Sequence, residues 1–373
     1  MSVDLSQAVN YHYGAFPPRT FDTGRVLGPL LEATDALARY DQMLKGMPNS
    51  EILLAPLRGQ EALASSRMEG TFSTLEEVLE LESELEPDLS AADEHRSEAV
   101  ETYLYSRALR LARQALEDGQ PLSQALIRQT HQVLLSFSRG QTKNPGQFKT
   151  EQNYIGARGT PYVSFIPISP EQLESGLDQL LDFTRDERWT TLLRVALGHV
   201  EFEALHPFKD GNGRVGRMLV TLLLWRLGAI SAPHFYISRF FEEHKADYIE
   251  TMRAVSARGA WEEWCVFFLR AVKEQARQNL QVAEATRHLY EEMKGSFAAL
   301  LKSAHAVTAL DFVFRHPVFH NSRFTQQAGI PPHTAARFVR LLLAADLLVP
   351  VRPAAGRRAA IYRFEPLLAL VRS

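Results

Sequence analysis

A glycine-rich loop, His206 to Arg217, interrupts a stretch of sequence that otherwise repeats its apolar residues at helical spacing. The segments on either side, residues 189–205 and 214–228, both predict helices. Gly211 and Gly213 alternate with polar residues directly before the second helix. Because glycines let backbone N–H groups converge and a helix N-terminus adds partial positive charge, the loop predicts an anion site.

The side chains of this loop suit a polyphosphate with a bound metal ion. Arg214 and Arg217 are three residues apart, so they project from one side of the first helical turn, and two guanidiniums beside an anion site fit a polyphosphate. Asp210 supplies the hard oxygen that Mg²⁺ on phosphates requires. His206 ends the preceding helix and titrates near neutral pH, so it is a candidate general base for a hydroxyl proton.

Other interpretations of the loop fit the sequence less well. A hairpin turn would need alternating flanks, whereas both flanks have a helical period. A P-loop would need a GxxxxGK[ST] segment and an EF-hand an acidic twelfth position, and the loop has neither. A metal site on His199, Glu203 and His206, which share one helical face, would need a second such motif, which the sequence lacks.

The loop resembles the Fic motif, HxFxDGNGRxxR, at every defined position, and the resemblance extends from about residue 120 to 260. Because all of these positions match within one short window, the signal is specific. The resemblance implies a helical bundle. The matching residues are His206, Phe208, Asp210, Gly211, Asn212, Gly213, Arg214 and Arg217.

The resemblance implies a protein adenylyltransferase that moves AMP from ATP to a Tyr, Thr or Ser hydroxyl of a target protein. By the same resemblance His206 is the general base, Asp210 holds Mg²⁺ and Phe208 is a packed anchor under the loop. AMP removal, UMP or phosphocholine transfer and phosphoryl transfer share the loop, and the full match together with the motif described next favours ATP and AMP. The implied nucleotide contacts are Gly211, Asn212 and Gly213 at the α-phosphate, Arg214 and Arg217 at the β- and γ-phosphates, and Val215, Gly216 and Tyr248, the last of which is also compatible with a core position.

A second motif, Ser65 to Gly70, resembles the inhibitory [ST]xxxE[GN] motif of the same family, with Ser65, Glu69 and Gly70 in the defined positions. The resemblance implies that Glu69 pairs with Arg217 and keeps it from the γ-phosphate, while Ser65 supports the pair from one helical turn back. A glycine-capped helix end is the plain alternative. The motif predicts low basal activity.

Residues 145–168 are rich in glycine, proline, aromatic and β-branched side chains and predict a β-hairpin around Ala157 to Gly159. The hairpin, at about 153–166, matches the family's flap, which pairs with an extended segment of the target protein by strand addition. The resemblance also implies a homodimer as one candidate assembly.

The C-terminal segment is basic, because residues 304–373 contain nine Arg, no Lys, two Asp and one Glu, a net charge of +6. Its predicted order is a helix at 306–315, a helix-turn-helix from Phe324, and two strands near 348–352 and 360–364. This order resembles a winged helix-turn-helix, which implies either DNA binding, through Thr334, Arg337, Arg340, Arg357 and Arg358, or protein docking. The residues leave both open, so a DNA-binding regulator with the Fic unit as its sensor is the alternative to an enzyme.

Together these patterns predict a mainly α fold, with a Fic helical bundle, a β-hairpin flap and a C-terminal winged helix. The expected domains are 1–110, with an inhibitory helix at about 50–70, then 111–296 and 297–373. A single cysteine, Cys265, the absence of a basic-apolar leader and apolar runs no longer than Met218 to Trp225 favour a cytoplasmic protein without membrane spans.

Overall fold

The computed structural model describes residues 4–47, 54–83, 94–156, 161–354 and 359–372. Helices dominate this part of the chain, and the predicted mainly α fold is confirmed. Three predicted features lie outside the described residues: the start of the inhibitory helix near residue 50, the turn at 157–159, and the candidate DNA contacts Arg357 and Arg358. The chain divides into two compact units, of which the first holds Met1–Arg39, Ala64–Thr71 and Leu104–Arg277.

Helices form most of the described chain up to residue 258. In chain order they are α1 (Thr23–Lys45), α2 (Ala55–Met68), α3 (Leu75–Ser83), α4 (Glu94–Glu117), α5 (Gln124–Leu134), α6 (Pro170–Thr184), α7 (Thr191–Leu205), α8 (Asn212–Arg226), α9 (Ser238–Glu243) and α10 (Lys245–Arg258). Helical periodicity predicts a single helix at about 241–256. The structure divides this segment at His244, whose Nδ1 lies 3.0 Å from the carbonyl oxygen of Phe240 and whose backbone leaves the helical region.

Helices α7 and α8 form the centre of the first unit, and both bury nearly all of their faces. Helix α6 packs on α7, while α5 packs on α8 through a cluster of Ala112, Leu116, Leu126 and Leu222. Helix α11 (Trp261–Leu301) joins this core where the indole N–H of Trp264 donates to the carbonyl oxygen of Ala196 at 2.7 Å. The loop 206–211 between α7 and α8 is therefore held from both ends by buried helices.

A small sheet lies in the first unit, with the strand order β1 (Val9–Asn10), β3 (Val163–Ile166), β2 (Ile155–Gly156). Strands β2 and β3 are antiparallel, which confirms the predicted hairpin. Strand β1 was not predicted, and it pairs with β3 in parallel, Val9 opposite Phe165. Strand β3 thus has a neighbour on both sides.

The second unit holds Tyr40–Leu63, Phe72–Tyr103 and Gln278–Ser373. Its remaining elements are α12 (Ala306–Arg315), β4 (Val318–His320), α13 (Asn321–Gln327), α14 (Pro332–Ala344), β5 (Leu348–Arg352), β6 (Ile361–Phe364) and α15 (Glu365–Arg372). The strands form one antiparallel sheet in the order β4-β6-β5. Helix α3 packs on β4, and Arg352 forms an ion pair with Glu80 at 2.8 Å.

The two predicted domain boundaries, after residues 110 and 296, fall inside the continuous helices α4 and α11. Near both of these places the chain passes from one unit to the other within a helix, whereas between Thr71 and Phe72 it does so in the loop after Gly70. The assignment of three sequential domains stays a prediction, whereas each compact unit combines distant segments of the chain.

Candidate active site

His206 follows the last residue of α7 and adopts a left-handed backbone conformation, with φ 47° and ψ 62°. Its side chain is half-buried, and its Nδ1 atom has no hydrogen-bond partner among the described residues. Burial, together with the nearby ammonium of Lys149, lowers the pKa of His206 to about 4. The imidazole is therefore neutral at pH 7, the state in which it can accept a proton.

The residues after His206 are pinned to the core from two sides. The side-chain amide of Asn212 accepts from the backbone N–H of Phe208 and donates to its carbonyl oxygen, both at 2.8 Å. The Phe208 ring is fully buried and stacks on the His131 imidazole, with ring centroids 3.7 Å apart. These two bonds fix the orientation of the Asn212 amide and leave one of its two N–H donors unused.

His131 was missed by the sequence analysis. Its Nδ1 accepts from the N–H of Gly146 at 2.9 Å, so the proton is on Nε2, which lies 3.0 Å from the carbonyl oxygen of Asp210. Burial lowers the pKa of His131 to about 4, which keeps this tautomer neutral. The sequence did contain a signal for its burial. His131 lies one turn after Ile127 and one turn before Leu134, on the apolar face of α5.

The predicted anion site lies at the start of α8. Gly211 caps the helix with φ 79°, a conformation that favours glycine. The Arg214 guanidinium is almost fully buried, lies 3.6 Å from the Asp210 carboxylate, and has two nitrogen atoms, Nε and Nη1, without a partner among the described residues. Unpartnered buried guanidinium nitrogens beside a helix N-terminus are suited to a phosphate.

The Glu69 carboxylate lies inside this anion site. Its Oε1 atom accepts from Arg217 Nη2 at 2.8 Å, and a Cβ atom on Gly213 would lie 2.5 Å from the same oxygen. Ser65 adds two contacts, since its hydroxyl and its carbonyl oxygen each accept from the Arg217 guanidinium at 2.9 Å. The contact that the sequence predicted between Glu69 and Arg217 is therefore present.

The charges of this pair stabilise each other despite burial. Burial acts to raise the pKa of Glu69, but the Arg217 guanidinium outweighs it, and the pKa lies below its ordinary value. The paired form is therefore ionised at every pH above the usual range of a glutamate. Because Glu69 is charged and bonded, neutral pH does not weaken this contact.

The end of the helix that carries Glu69 is held in place by other side chains. Gly70 adopts φ 79° and ends the helix, as the motif predicts. The Lys245 ammonium donates to the carbonyl oxygen of Met68 at 2.6 Å, and Arg67 lies 3.8 Å from Glu242. Cationic groups at a helix C-terminus satisfy its free carbonyls and its dipole.

Val215 and Gly216, which were predicted to bind the nucleotide, face the interior. Val215 is fully buried, and a Cβ atom on Gly216 would collide with the Glu203 carboxylate. Tyr248 is also buried, and its hydroxyl lies 2.8 Å from His199 Nε2. The contacts of these three residues with a nucleotide stay predictions.

The alternative of a metal bound by His199, Glu203 and His206 is not supported. His199 Nδ1 lies 3.2 Å from the carbonyl oxygen of Gly216 and so carries the proton, while Nε2 accepts from the Tyr248 hydroxyl. Both nitrogen atoms of the ring are thus occupied. Among the described residues, three or more His, Cys, Asp or Glu side chains nowhere gather as metal ligands would.

Glu203 predicts a specific pH dependence of stability. Burial, with Glu69 adding to it and Arg217 opposing it, raises the pKa of Glu203 to about 7. The folded protein thus retains a proton that the unfolded chain releases near pH 4.5, so stability falls as pH rises from 4.5 to 7. The unfolding free energy of wild type should therefore decrease between pH 5.5 and pH 8. In Glu203→Gln we expect this decrease to be smaller by about 2 kcal/mol.

This expectation is checked by urea denaturation of wild type and Glu203→Gln at both pH values. Glu187→Gln, which changes an exposed carboxylate, is the matched control. Parallel stability profiles for wild type and Glu203→Gln would contradict a raised pKa.

The chain belongs to the Fic/DOC family. Residues 27–114 match the Fic/DOC family N-terminal region, and residues 121–224 match the Fic/DOC family itself. The second match contains the 206–217 loop, so the resemblance of this loop to the Fic family is confirmed. Ser65–Gly70 lies within the first match, and its inhibitory role stays a prediction.

Named relatives match parts of the chain. It is 36% identical over 86 residues to the protein adenylyltransferase fic-1 of Caenorhabditis elegans, which is 22% of this chain and 16% of that protein. It is 28% identical over 183 residues to the probable protein adenylyltransferase aq_aa38 of Aquifex aeolicus, which is 48% of this chain and 52% of that protein. The chain therefore spans about a sixth to a half of the length of these relatives.

Solved structures agree with the fold. A Fic family protein from Desulfovibrio desulfuricans superposes with a TM-score of 0.59 at 19% identity, over 94% of this chain and 98% of that one. A Fic domain containing signaling protein from Bacteroides thetaiotaomicron gives a TM-score of 0.54 at 19% identity, over 68% and 97%. In the described part of this chain, none of the helices has the length and apolar character needed to span a membrane.

Proposed function

We propose that this chain is a nucleotidyltransferase that transfers AMP from ATP to a Tyr, Thr or Ser hydroxyl of a target protein. The observation that carries the proposal is the neutral His206 imidazole at the edge of an anion site that Arg214 and the start of α8 form. The names of the curated relatives support the same activity.

In the proposed reaction the target hydroxyl oxygen attacks the α-phosphorus of ATP. The bond between the α-phosphorus and the bridging oxygen breaks, pyrophosphate leaves, and His206 takes the hydroxyl proton. The N–H groups at the start of α8 and the Arg214 guanidinium stabilise the charge on the phosphates. Arg217 holds the terminal phosphate once its contact with Glu69 is broken.

Asp210 is the candidate residue for Mg²⁺. Its carboxylate is one-third exposed, and a single carboxylate beside a polyphosphate site fits the ligands that Mg²⁺ prefers. When bound, the ion would neutralise charge on the phosphates. Asp210 also accepts from the N–H of Gly211 at 2.6 Å, which orients the carboxylate.

The contact between Glu69 and Arg217 supports autoinhibition of this reaction. A carboxylate within the anion site occupies the arginine that the γ-phosphate needs, so ATP would bind with its α-phosphate misplaced. AMP removal is the second candidate, because the same Glu69 carboxylate lies close enough to the loop to act on a water molecule beside a bound adenylate.

The target protein is proposed to dock on the flap along β2. Strand β3 already has β1 on one side and β2 on the other, whereas β2 pairs with β3 alone among the described residues. An extended target segment can add to a free strand edge through backbone hydrogen bonds. The Asn153 amide, two residues before β2, donates to the carbonyl oxygens of His206 and Phe208 and places this edge beside the base.

For the C-terminal elements we propose a winged-helix module that docks protein. A helix, a strand, two further helices and two strands, with the sheet order β4-β6-β5, support this assignment. Several of its arginines are engaged within the unit, including Arg323 with the Glu82 carbonyl oxygen, Arg337 with that of Leu301, and Arg352 with Glu80. A steep fall in affinity for duplex DNA with rising salt would instead indicate DNA binding.

The proposed reaction is tested by following label on protein with Mg²⁺ and either α-labelled or γ-labelled ATP. We expect the α-label to be retained on protein and the γ-label to leave in pyrophosphate. Label from γ-labelled ATP would indicate phosphoryl transfer. Release of label from a target that already carries labelled AMP, with no forward transfer, would favour AMP removal.

A further inference from the structure

The backbone turn that carries His206 is held by two residues outside the Fic motif. At the end of α7 the carbonyl groups have no partner within the helix. The ammonium of Lys149 donates to the carbonyl oxygen of Leu205 at 2.9 Å, and the backbone N–H of Lys149 donates to that of Pro207 at 2.8 Å. The Asn153 amide donates to the carbonyl oxygens of His206 and Phe208 at 3.2 and 3.0 Å.

Lys149 and Asn153 are also bonded to each other. Lys149 is only 8% exposed, and its ammonium donates to Asn153 Oδ1 at 3.0 Å. Burying a lysine is unfavourable, and here burial lowers its pKa to about 7. The hydrogen bonds to Leu205 and Asn153 offset part of that cost and hold the ammonium, which predominates below pH 7, at a fixed position.

The His206 ring depends on this turn for its position. Its Nδ1 atom has no side-chain partner within the described ranges, and the backbone of Glu203, one turn back on α7, favours the protonated ring by hydrogen bonding. Three charged groups act on the ring. Lys149 comes from the loop before the flap, Glu69 from the end of α2, and Asp210 from the loop between α7 and α8. Lys149 disfavours the protonated ring, whereas the two carboxylates favour it.

The same segment leads into the strand on which a target would dock, because β2 begins two residues after Asn153. We propose that Lys149 is a positioning residue for AMP transfer, which fastens the base His206 to the flap through the carbonyl groups of its turn and acts on the imidazole through its own charge. The proposal rests on the proposed function of this site. Lys149 acts through His206 and not on the nucleotide.

The test compares Lys149→Met, Lys149→Arg and Asn153→Ala, each combined with Glu69→Gly to remove the inhibitory contact. For Lys149→Met we expect kcat to fall about 10- to 100-fold, because the base is displaced, while the KM for ATP is unchanged. The acid limb of its pH profile should move to higher pH, because the positive charge beside His206 is gone. Lys149→Arg should keep the limb in place, and Asn153→Ala should lower kcat without moving it.

A second measurement does not depend on transfer. The pKa of His206 is followed by NMR of labelled histidine without Mg²⁺, with its signal assigned through His206→Ala. It should rise in Lys149→Met and stay unchanged in Asn153→Ala. If the Glu69→Gly parent transfers no label, the proposed function fails, yet a raised imidazole pKa still supports the role of Lys149.

Two results would overturn the proposal. One is an unchanged kcat and an unchanged acid limb in Lys149→Met. The other is a uniform loss of kcat at every pH together with an unchanged His206 pKa, which would reduce Lys149 to a packing role. If Lys149→Met fails to fold, as judged by circular dichroism, movement of the limb in Lys149→Arg or in Asn153→Ala would contradict the proposal in the same way.

Discussion

Replacing Glu69 with glycine is expected to raise AMP transfer about 10- to 100-fold. A close Arg–carboxylate pair contributes about 4 kcal/mol at an effective dielectric constant of 20 before desolvation, and each ~1.4 kcal/mol corresponds to a tenfold rate. The substitution also removes the carboxylate that lies between Gly213 and Arg217. Arg217 then becomes available to the γ-phosphate. The measurement is the initial rate of label transfer from α-labelled ATP.

Two further variants make this test specific. Ser65→Ala should raise the rate only about fivefold, because it removes one of the hydrogen bonds to Arg217, worth about 1 kcal/mol. Glu187→Gly, at an exposed turn, should leave the rate as it is. An unchanged rate in Glu69→Gly, with ATP binding intact by calorimetry, would refute inhibition by this contact.

Removing the base is expected to have the largest effect of all. In the Glu69→Gly background, His206→Ala should reduce the rate on the order of 10²- to 10⁴-fold, the usual contribution of a positioned general base. The physical reason is that the target hydroxyl then has no acceptor for its proton as it attacks the α-phosphorus. The affinity for ATP should change little, since the phosphate site is built from α8 and Arg214.

The matched control is His333→Ala, which removes an exposed histidine on α14. It should transfer label at the rate of the Glu69→Gly parent. Label transfer by His206→Ala at a rate within threefold of the parent would exclude His206 as the base, and would direct attention to a water molecule or to the target's own side chains.

The parts of the site that were predictable are those in which a short motif carries both residue types and geometry. The end of α7 at His206 follows from the break in helical periodicity. The buried position of Phe208 and the contact between Glu69 and Arg217 follow from the resemblance of two short motifs to a known family. Glu69 and Arg217 are 148 residues apart in the sequence, yet both lie within recognisable motifs. The flap hairpin also has a clear composition signal.

The parts that could not be predicted depend on backbone atoms and on distant segments. Lys149 and Asn153 act mainly through carbonyl oxygens, which every residue has, so their own neighbours in the sequence give no indication of a partner. His131 resembles any histidine on an apolar helix face. Within α4 and α11 the chain passes from one compact unit to the other, and helical periodicity continues there without a break.

Tyr248 has tertiary contacts that a sequence does not reveal. A tyrosine on α10 is compatible both with a nucleotide contact and with the core. Its hydroxyl is bonded to His199, and its ring stacks on Phe241 with centroids 4.5 Å apart. These contacts come from α7 and α9, and their convergence on one position could not be inferred from spacing along the chain.

The pairing of β1 with β3 sets an order of events during synthesis of the protein. Val9 meets a partner, Phe165, that is translated more than 150 residues later. At about 5–20 residues per second, the first strand remains without its neighbour for on the order of ten seconds. The three-stranded sheet can therefore be completed only after helices α1 to α5, which lie between β1 and β2, have been made. A growing chain lacks the finished flap until that time.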